Sequence, residues 1–359
     1  MTGPSDTPRI AVVGGGIVGL AITWKLAVAG AHVVLYERDA LAGAAPRVAA
    51  GMLAPVSEAD PAERMLLELG LASAAAWPAF AAELEAAAGL HPGTLIRTDG
   101  TLLVARDADE GRWLDREAKL RRELGLECEL LTPSQARRLE PDLAPGLRGA
   151  LSAPGDQSVD PRQVGEALEL AALNAGAALH IGHGIDGLSD PRLEGFDRIV
   201  VCTGAWPLPG ADEDDAARTH PVKGQLLVLR DPDHARRGEP IVTCTLRAQT
   251  VYLVPRGDGR YIAGATMEHR GYDTTVTAWA VHDLLRELFE VVPATREWVL
   301  EEAVAGLRPA TASGDPLLGP APADPAGAAA RVIYAVGHYR NGILLAPETA
   351  RRITELLLG

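Results

Sequence analysis

Gly14, Gly16 and Gly19 stand directly behind the apolar run Arg9–Val13, and Glu37 follows eighteen residues after the last of them. At that spacing Gly14 makes a tight turn, Gly16 lets the backbone approach a pyrophosphate, and Gly19 lets a helix pack on a strand. No basic side chain is needed, because free backbone N–H groups and the positive end of a helix dipole supply the anion site. Glu37 is placed to accept hydrogen bonds from an adenosine ribose, and its charge repels a 2′-phosphate, which favours FAD or NAD over NADP. A second anion chemistry lies far along the chain. Arg308 sits between Leu307 and Pro309 in an apolar segment, and a planar guanidinium grips a carboxylate through two parallel hydrogen bonds as lysine cannot.

The elements that must position these groups follow from periodicity. Residues 9–13 read as a buried strand, 18–29 as a helix ending at Gly30, and 32–36 as a second strand. A Gly/Ala-rich segment, 43–54, has no period of its own. Residues 63–90 read as an Ala-rich helix in one or two pieces, with Pro78 as the expected break, 100–105 as a strand, 110–124 as a charged amphipathic helix and 133–140 as a short helix opened by Pro133. Strands at 177–181 and 198–202 return to the first sheet, the latter ending in the small-residue turn Thr203-Gly204-Ala205-Trp206. Segments 226–229, 250–254 and 261–265 predict a separate antiparallel sheet. Residues 280–289 read as a helix, 332–336 as the last core strand, and a terminal helix starts at Pro347. The fold class is therefore α/β in two domains: a Rossmann-like nucleotide-binding domain (1–85, 147–220 and 303–359) and a substrate domain on an antiparallel sheet (86–146 and 221–302).

Composition narrows the function. The chain has 359 residues, enough for two lobes, and a formal net charge of −14 with no Lys/Arg-rich run, which argues against nucleic acid or an anionic membrane as partner. Cys128, Cys202 and Cys244 are odd in number and far apart, with neither a disulfide framework nor metal spacing. The start lacks the basic region of a signal peptide, and glycines and Lys25 break the apolar stretch 10–31, so a soluble cytoplasmic protein is expected. His180 and His183 form a close pair without a third ligand, giving no metal site. No Gly-x-Ser-x-Gly elbow or phosphate-binding lysine loop is present. The acidic run 212–215 reads as a solvated loop without the alternation of a calcium loop.

Further motifs carry a resemblance over essentially the whole chain: Gly306-Leu-Arg308-Pro309 followed by Asp315-Pro316, Tyr252-Leu-Val-Pro255, Gly264-Ala-Thr-Met267, Ala49-Ala-Gly-Met-Leu-Ala-Pro55 and Gly337-His-Tyr-Arg340-Asn-Gly342-Ile-Leu-Leu-Ala-Pro347. With Gly14 to Gly19, Glu37 and the Thr203-Gly204 turn, they resemble the glycine oxidases of the D-amino-acid oxidase superfamily. The segment ending at Pro347 resembles the thiamine-pathway branch in particular. The resemblance implies a noncovalent FAD, O2 as electron acceptor and a small amino acid as substrate. Ile17, Val18, Glu37 and Arg38 would then hold the adenosine and pyrophosphate end, with Ile185 against the adenine. Ala50, Gly51 and Met52 would pass beside the flavin, and His338, Tyr339, Arg340, Asn341, Gly342, Ile343 and Leu344 would wrap it. Arg308 falls on the family's carboxylate-binding arginine, Arg340 becomes a second cation, Tyr252 donates its hydroxyl to the same carboxylate, and Met267 walls the pocket. One departure concerns the flavin loop. Relatives place Ser, Thr or Gln where this chain has Ala45, Pro46, Arg47 and Val48; Arg47 either replaces those hydroxyls electrostatically or points to solvent.

The chemistry so implied is oxidative deamination, with hydride transfer from Cα to the flavin, an imine hydrolysed to an α-keto acid and ammonia, and O2 reduced to H2O2. Positioning would matter more than a general base, and no catalytic acid or base is assigned; His338 reads as a hydrogen-bonding scaffold. Glycine would give glyoxylate, or its imine could be handed to a thiazole synthase, and the family implies a homotetramer. Several alternatives stay open. They are a D-amino-acid or sarcosine-type oxidase or a dehydrogenase, an NAD enzyme, and an FAD-binding module without turnover. Residues 337–347 contain no cysteine to tether flavin as sarcosine-type relatives do, and Arg308 and Tyr252 speak against a silent module.

Overall fold

The computed structural model describes residues 7–43, 45–211, 218–320 and 330–359. The acidic run 212–215 and most of the Pro/Ala loop at 320–330 lie outside the described residues.

Five parallel strands build the first sheet, whose two faces are both buried, one by α-helices and the other by Leu193, Phe196, Leu208 and Ala211. Its order is Leu317–Gly319, Val332–Val336, Arg198–Val201, Arg9–Val13, His32–Glu37 and Ala178–Ile181, with only Leu317–Gly319 antiparallel. Arg9–Val13 is central and pairs with Arg198–Val201 on one side and His32–Glu37 on the other. The first helix (Ile17–Val28) packs Leu20, Ile22 and Leu26 into a core shared with helices Arg64–Ala88, Pro161–Asn174 and Ala346–Leu358.

Eight strands form the second sheet, in the order Val299–Thr311, Thr219–Arg230, Arg260–Gly264, Tyr252–Pro255, Thr245–Arg247, Thr101–Ala105, Gly149–Ala153 and Glu129–Leu131. Neighbours are antiparallel except Thr245–Arg247 with Thr101–Ala105, which run parallel, so the expected antiparallel sheet is a mixed one. A small three-stranded sheet of Met52–Leu53, Gln157–Val159 and Ile96–Arg97 lies apart from both.

Two expectations need correction. The helix at 63–90 does not break: Arg64–Ala88 runs through Pro78. Burial of Trp77, Phe80, Ala81 and Leu84 outweighs the single N–H that proline removes, since packing rather than propensity supplies most helix stability. This helix is also long and apolar enough by composition to cross a membrane, yet Leu66, Leu69, Trp77 and Leu84 are buried inside the protein. The boundaries at 147 and 303 also fail as sheet boundaries. Gly149–Ala153 pairs with Thr101–Ala105, and Val299–Thr311 pairs with Thr219–Arg230 from Thr219↔Thr311 to Arg230↔Val299 in one ladder. A cut at 303 would sever that ladder. The helix Pro161–Asn174 went unread in the sequence; Asp160 caps it by accepting from the Arg162 N–H at 2.9 Å, and Pro161 opens it.

Candidate active site

The glycine turn is built as its spacing requires. Gly14 has φ of +111°, and a Cβ there would meet the Cys202 carbonyl oxygen at 2.4 Å; a Cβ on Gly19 would meet the Gly14 carbonyl oxygen at 1.9 Å. Gly16 differs, since no atom lies within 4 Å of where its Cβ would stand. It is the N-cap of Ile17–Val28, and no side chain caps that helix. The open space and uncapped helix start face a cavity lined by Gly16, Ile17 and Val18, which is the cradle a pyrophosphate needs.

Glu37 stands behind this turn rather than in the cavity. Its carboxylate accepts from the Gly15 N–H at 2.6 Å and the Asp39 N–H at 2.8 Å, which pins the turn and leaves further lone pairs for a ribose. The His183 N–H donates to the Glu37 carbonyl at 2.9 Å, and Gly184 leaves no room for a side chain beside Arg38. Ile185 is thereby carried to the same end of the molecule, where it packs with the cluster of Val34, Leu188 and Leu208. The Arg38 guanidinium lies 4.6 Å from the centre of the Trp206 ring.

The flavin-loop segment Ala45, Pro46, Ala50, Gly51 and Met52 lines the cavity, as do Gly204 and, from the C-terminal segment, His338, Tyr339, Arg340, Gly342 and Ile343. Backbone carbonyls tie the loop down. Arg162 donates to the Arg47 carbonyl at 3.1 and 3.3 Å while pairing with Glu302 at 2.8 and 2.9 Å. Arg256 donates to the Ala50 carbonyl at 2.8 Å and the Val159 carbonyl at 3.2 Å. Burial brings the Arg256 guanidinium down to about 10. The Arg47 side chain is exposed and does not line the cavity, so it replaces no hydroxyl there. Thr203 is flanked by lining residues without lining the cavity itself.

Asn341 and Leu344 do not line this cavity but a small neighbouring cleft beside Glu63 and Gly70, because the 3₁₀ turn Tyr339–Asn341 sends successive side chains to different sides. His338 is buried, its Nε2 is 3.0 Å from Thr349 Oγ1, and burial pulls its pKa down to about 4. It is a neutral scaffold at neutral pH. Cys202, in the cavity wall, is pushed far up by burial and is not a nucleophile.

Across the cavity the second sheet contributes Tyr252, Met267 and Arg308. Arg308 pairs with Val222 across the long ladder and reaches over Gly224. Its Nη1 donates to the Thr266 carbonyl at 3.0 Å and, weakly, to the Lys223 carbonyl at 3.5 Å. No carboxylate is paired with Arg308 among the described residues. Lys223, beneath it, is fully buried and bound to Asp273 at 2.8 Å. The Tyr252 phenol is pushed up by burial and, to a smaller extent, pulled down by Arg308. Met267 is 69% exposed, with Tyr339 donating to its Sδ at 3.0 Å, which places it at the mouth rather than as a buried wall. Arg340 lines the cavity but is not a free second cation. Burial opposes its charge, yet Glu63 at 2.5 Å and Glu58 at 4.0 Å hold it above its ordinary value.

Among the lining residues that sequence reasoning missed, two are charged, Glu58 and Arg247. Glu58 was visible as the one acid closing the otherwise uncharged run 48–57 that starts in the flavin loop.

A dinucleotide cradle and an unpaired guanidinium facing one cavity agree with the family comparison, in which residues 9–356 match the FAD-dependent oxidoreductases. The chain belongs to that family. FAD is the cofactor of this enzyme, and the residues described above fit it. The chain is 33% identical to the glycine oxidase of Geobacillus kaustophilus over 97% of its own length and 92% of that protein's. The crystal structure of that oxidase superimposes with a TM-score of 0.85, covering 98% and 95% of the two chains. A thiamine biosynthesis oxidoreductase ThiO of Rhizobium etli is 35% identical, covering 98% of this chain and 96% of its own. The bifunctional ThiO/ThiG protein of Synechocystis is 33% identical, and this chain spans 52% of its length.

Proposed function

We propose that this oxidoreductase oxidises glycine, and other small amino acids, to the imine, which water converts to an α-keto acid and ammonia. The observation that carries the reading is Arg308, a cavity-facing guanidinium that, among the described residues, is bound only to backbone carbonyls. A cation in such a site gains most from a carboxylate that can be gripped through two hydrogen bonds, and Tyr252 lines the same cavity as a neutral donor. Glycine oxidase relatives over nearly the full chain support the amino acid class.

FAD, when bound, accepts the electron pair of the breaking Cα–H bond. In this reading Gly16, Ile17 and Val18 hold its pyrophosphate, Glu37, Arg38 and Ile185 its adenosine, and Ala45, Pro46, Ala50, Gly51, Met52, Gly204, His338 and Tyr339 the flavin side. Arg308 and Tyr252 fix the carboxylate so that Cα is held still; neutral His338 takes no proton. Orientation therefore supplies the main part of the rate.

O2 is the final acceptor in this proposal, with hydrogen peroxide as product, and the protein acts in the cytoplasm as a homotetramer. Three free cysteines, two of them buried, suit a reducing compartment. The fused ThiO/ThiG relative supports a hand-off of the imine to a thiazole synthase. The decisive experiment is Arg308→Ala. Flavin should be retained while KM for glycine rises more than a hundredfold, corresponding to about 3 kcal/mol for the lost bidentate partner. An unchanged KM would remove Arg308 from the site.

A further inference from the structure

Glu58 is a cavity-lining acid that the reading above does not use. Its side chain is 18% exposed, and it lines the same cavity as Arg308 and Tyr252. Two arginines approach it without reaching hydrogen-bond distance: Arg247 Nη2 at 3.9 Å and Arg340 Nε at 4.0 Å. Both are engaged elsewhere, Arg247 with the Ser57 carbonyl at 2.6 Å and Arg340 with Glu63 at 2.5 Å. Among the described residues, no donor lies within hydrogen-bond distance of the Glu58 carboxylate. A carboxylate has about four lone-pair sites, and Glu58 stands where the ligand cavity meets the small cleft beside Glu63, lining both.

The turn that carries this carboxylate is pinned. Asp156 accepts from the Val56 and Ser57 N–H groups, each at 3.1 Å. Arg121 donates to the Val56 carbonyl at 2.8 Å and the Ser57 carbonyl at 2.7 Å, and the Glu58 N–H donates to the Ala54 carbonyl at 3.0 Å. So many bonds on three successive residues fix where the side chain starts. The charges of Glu58 and Arg308 both act on Tyr252, with opposite sign, so the cavity holds an anion and an unpaired cation close to one phenol.

Resting on the proposed amino acid substrate, we infer that Glu58 binds the substrate's amino nitrogen while Arg308 binds its carboxylate. The cavity is then a dipolar clamp for an amino acid, whose ammonium group gives one proton to solvent water before the Cα–H bond breaks. The nitrogen fills the acceptor positions that Arg247 and Arg340 leave open, and those two arginines offset the carboxylate's charge without occupying it. A neutral primary amine still has two N–H bonds, so it keeps a donor for Glu58 while its lone pair is free to form the C=N bond.

The test compares glycine with glycolate, which has the carboxylate and no nitrogen. In the FAD-loaded protein, KM and kcat for glycine and the Kd for glycolate, by calorimetry and flavin absorption, are measured for wild type, Glu58→Gln, Glu58→Ala and Arg308→Lys. Both Glu58 variants should raise KM for glycine at least tenfold and leave glycolate binding within twofold or tighter, because an anion has been removed from its surroundings. Arg308→Lys should weaken both ligands. Equal changes for glycine and glycolate in the Glu58 variants, or none, would overturn the role of Glu58. Unchanged binding of both ligands in Arg308→Lys would instead overturn the carboxylate site on which it rests.

Discussion

Gly224 and Arg308 occupy the same space: a Cβ on Gly224 would lie 2.4 Å from Nη1 of Arg308 and 2.5 Å from its Cζ and Nη2. The two residues belong to adjacent strands of the long ladder, where Gly224 pairs with Gly306 and Arg308 with Val222. Glycine here makes room for a guanidinium rather than for a backbone conformation. In Gly224→Ala the flexible arginine should move and the sheet should not. KM for glycine is expected to rise tenfold or more, about 1.4 kcal/mol, with the melting temperature within a few degrees of wild type. A large stability loss with unchanged KM would contradict this.

Trp77 Nε1 and Ser73 Oγ both donate to the Leu344 carbonyl, at 2.9 and 2.6 Å, and so tie the cavity-lining C-terminal segment to the long helix. Either Trp77→Phe or Ser73→Ala should cost about 1 kcal/mol, because one donor remains. The double variant leaves a buried carbonyl without either donor and should lose more than the sum, together with FAD affinity. Urea unfolding of the four proteins in a double-mutant cycle measures this coupling.

Two buried groups act oppositely on stability in mild acid. His338 is held at about 4, below the ordinary histidine value, so its contribution is full above pH 6.5 and is lost as the pH falls through 4. Asp156 is raised to about 6 by burial, so its contribution is full below about 3.8 and is lost as the pH rises through 6. Each amounts to about 3 kcal/mol at most. His338→Gln should therefore flatten the acid-side loss of stability, and Asp156→Asn should steepen it, as read from unfolding midpoints between pH 4 and 7.

The Arg162–Glu302 pair fixes the flavin loop through the Arg47 carbonyl. Glu302→Gln removes the charge that orients Arg162 while keeping its shape. The expected result is faster FAD dissociation with kcat at saturating FAD within about twofold of wild type, measured by flavin release on dilution. Unchanged FAD release would disconnect this pair from the loop.

Much of the nucleotide half was legible because its signals are local. Gly14, Gly16, Gly19 and Glu37 act within one strand–turn–helix–strand unit, so their spacing along the chain is close to their spacing in space. The break expected at Pro78 was wrong for the opposite reason: whether a proline ends a helix depends on what the helix buries, and Trp77 and Phe80 are buried by segments far away in sequence. Arg340 was legible as a cation but not as one already paired, since Glu63 stands 277 residues away.

By itself, then, the sequence determined the dinucleotide unit, the family and the single guanidinium best suited to a carboxylate, because residue type and short-range spacing suffice for each. Only the tertiary structure decided that, among the described residues, Arg308 lies over Gly224 with no acidic partner and Glu58 lines the same cavity with no donor within hydrogen-bond distance. Those facts depend on the register of a ladder joining residues 219–230 to 299–311 and on a turn pinned by Asp156 and Arg121. Neither is encoded by any local period; each follows from which distant hydrogen bonds are satisfied together in one fold.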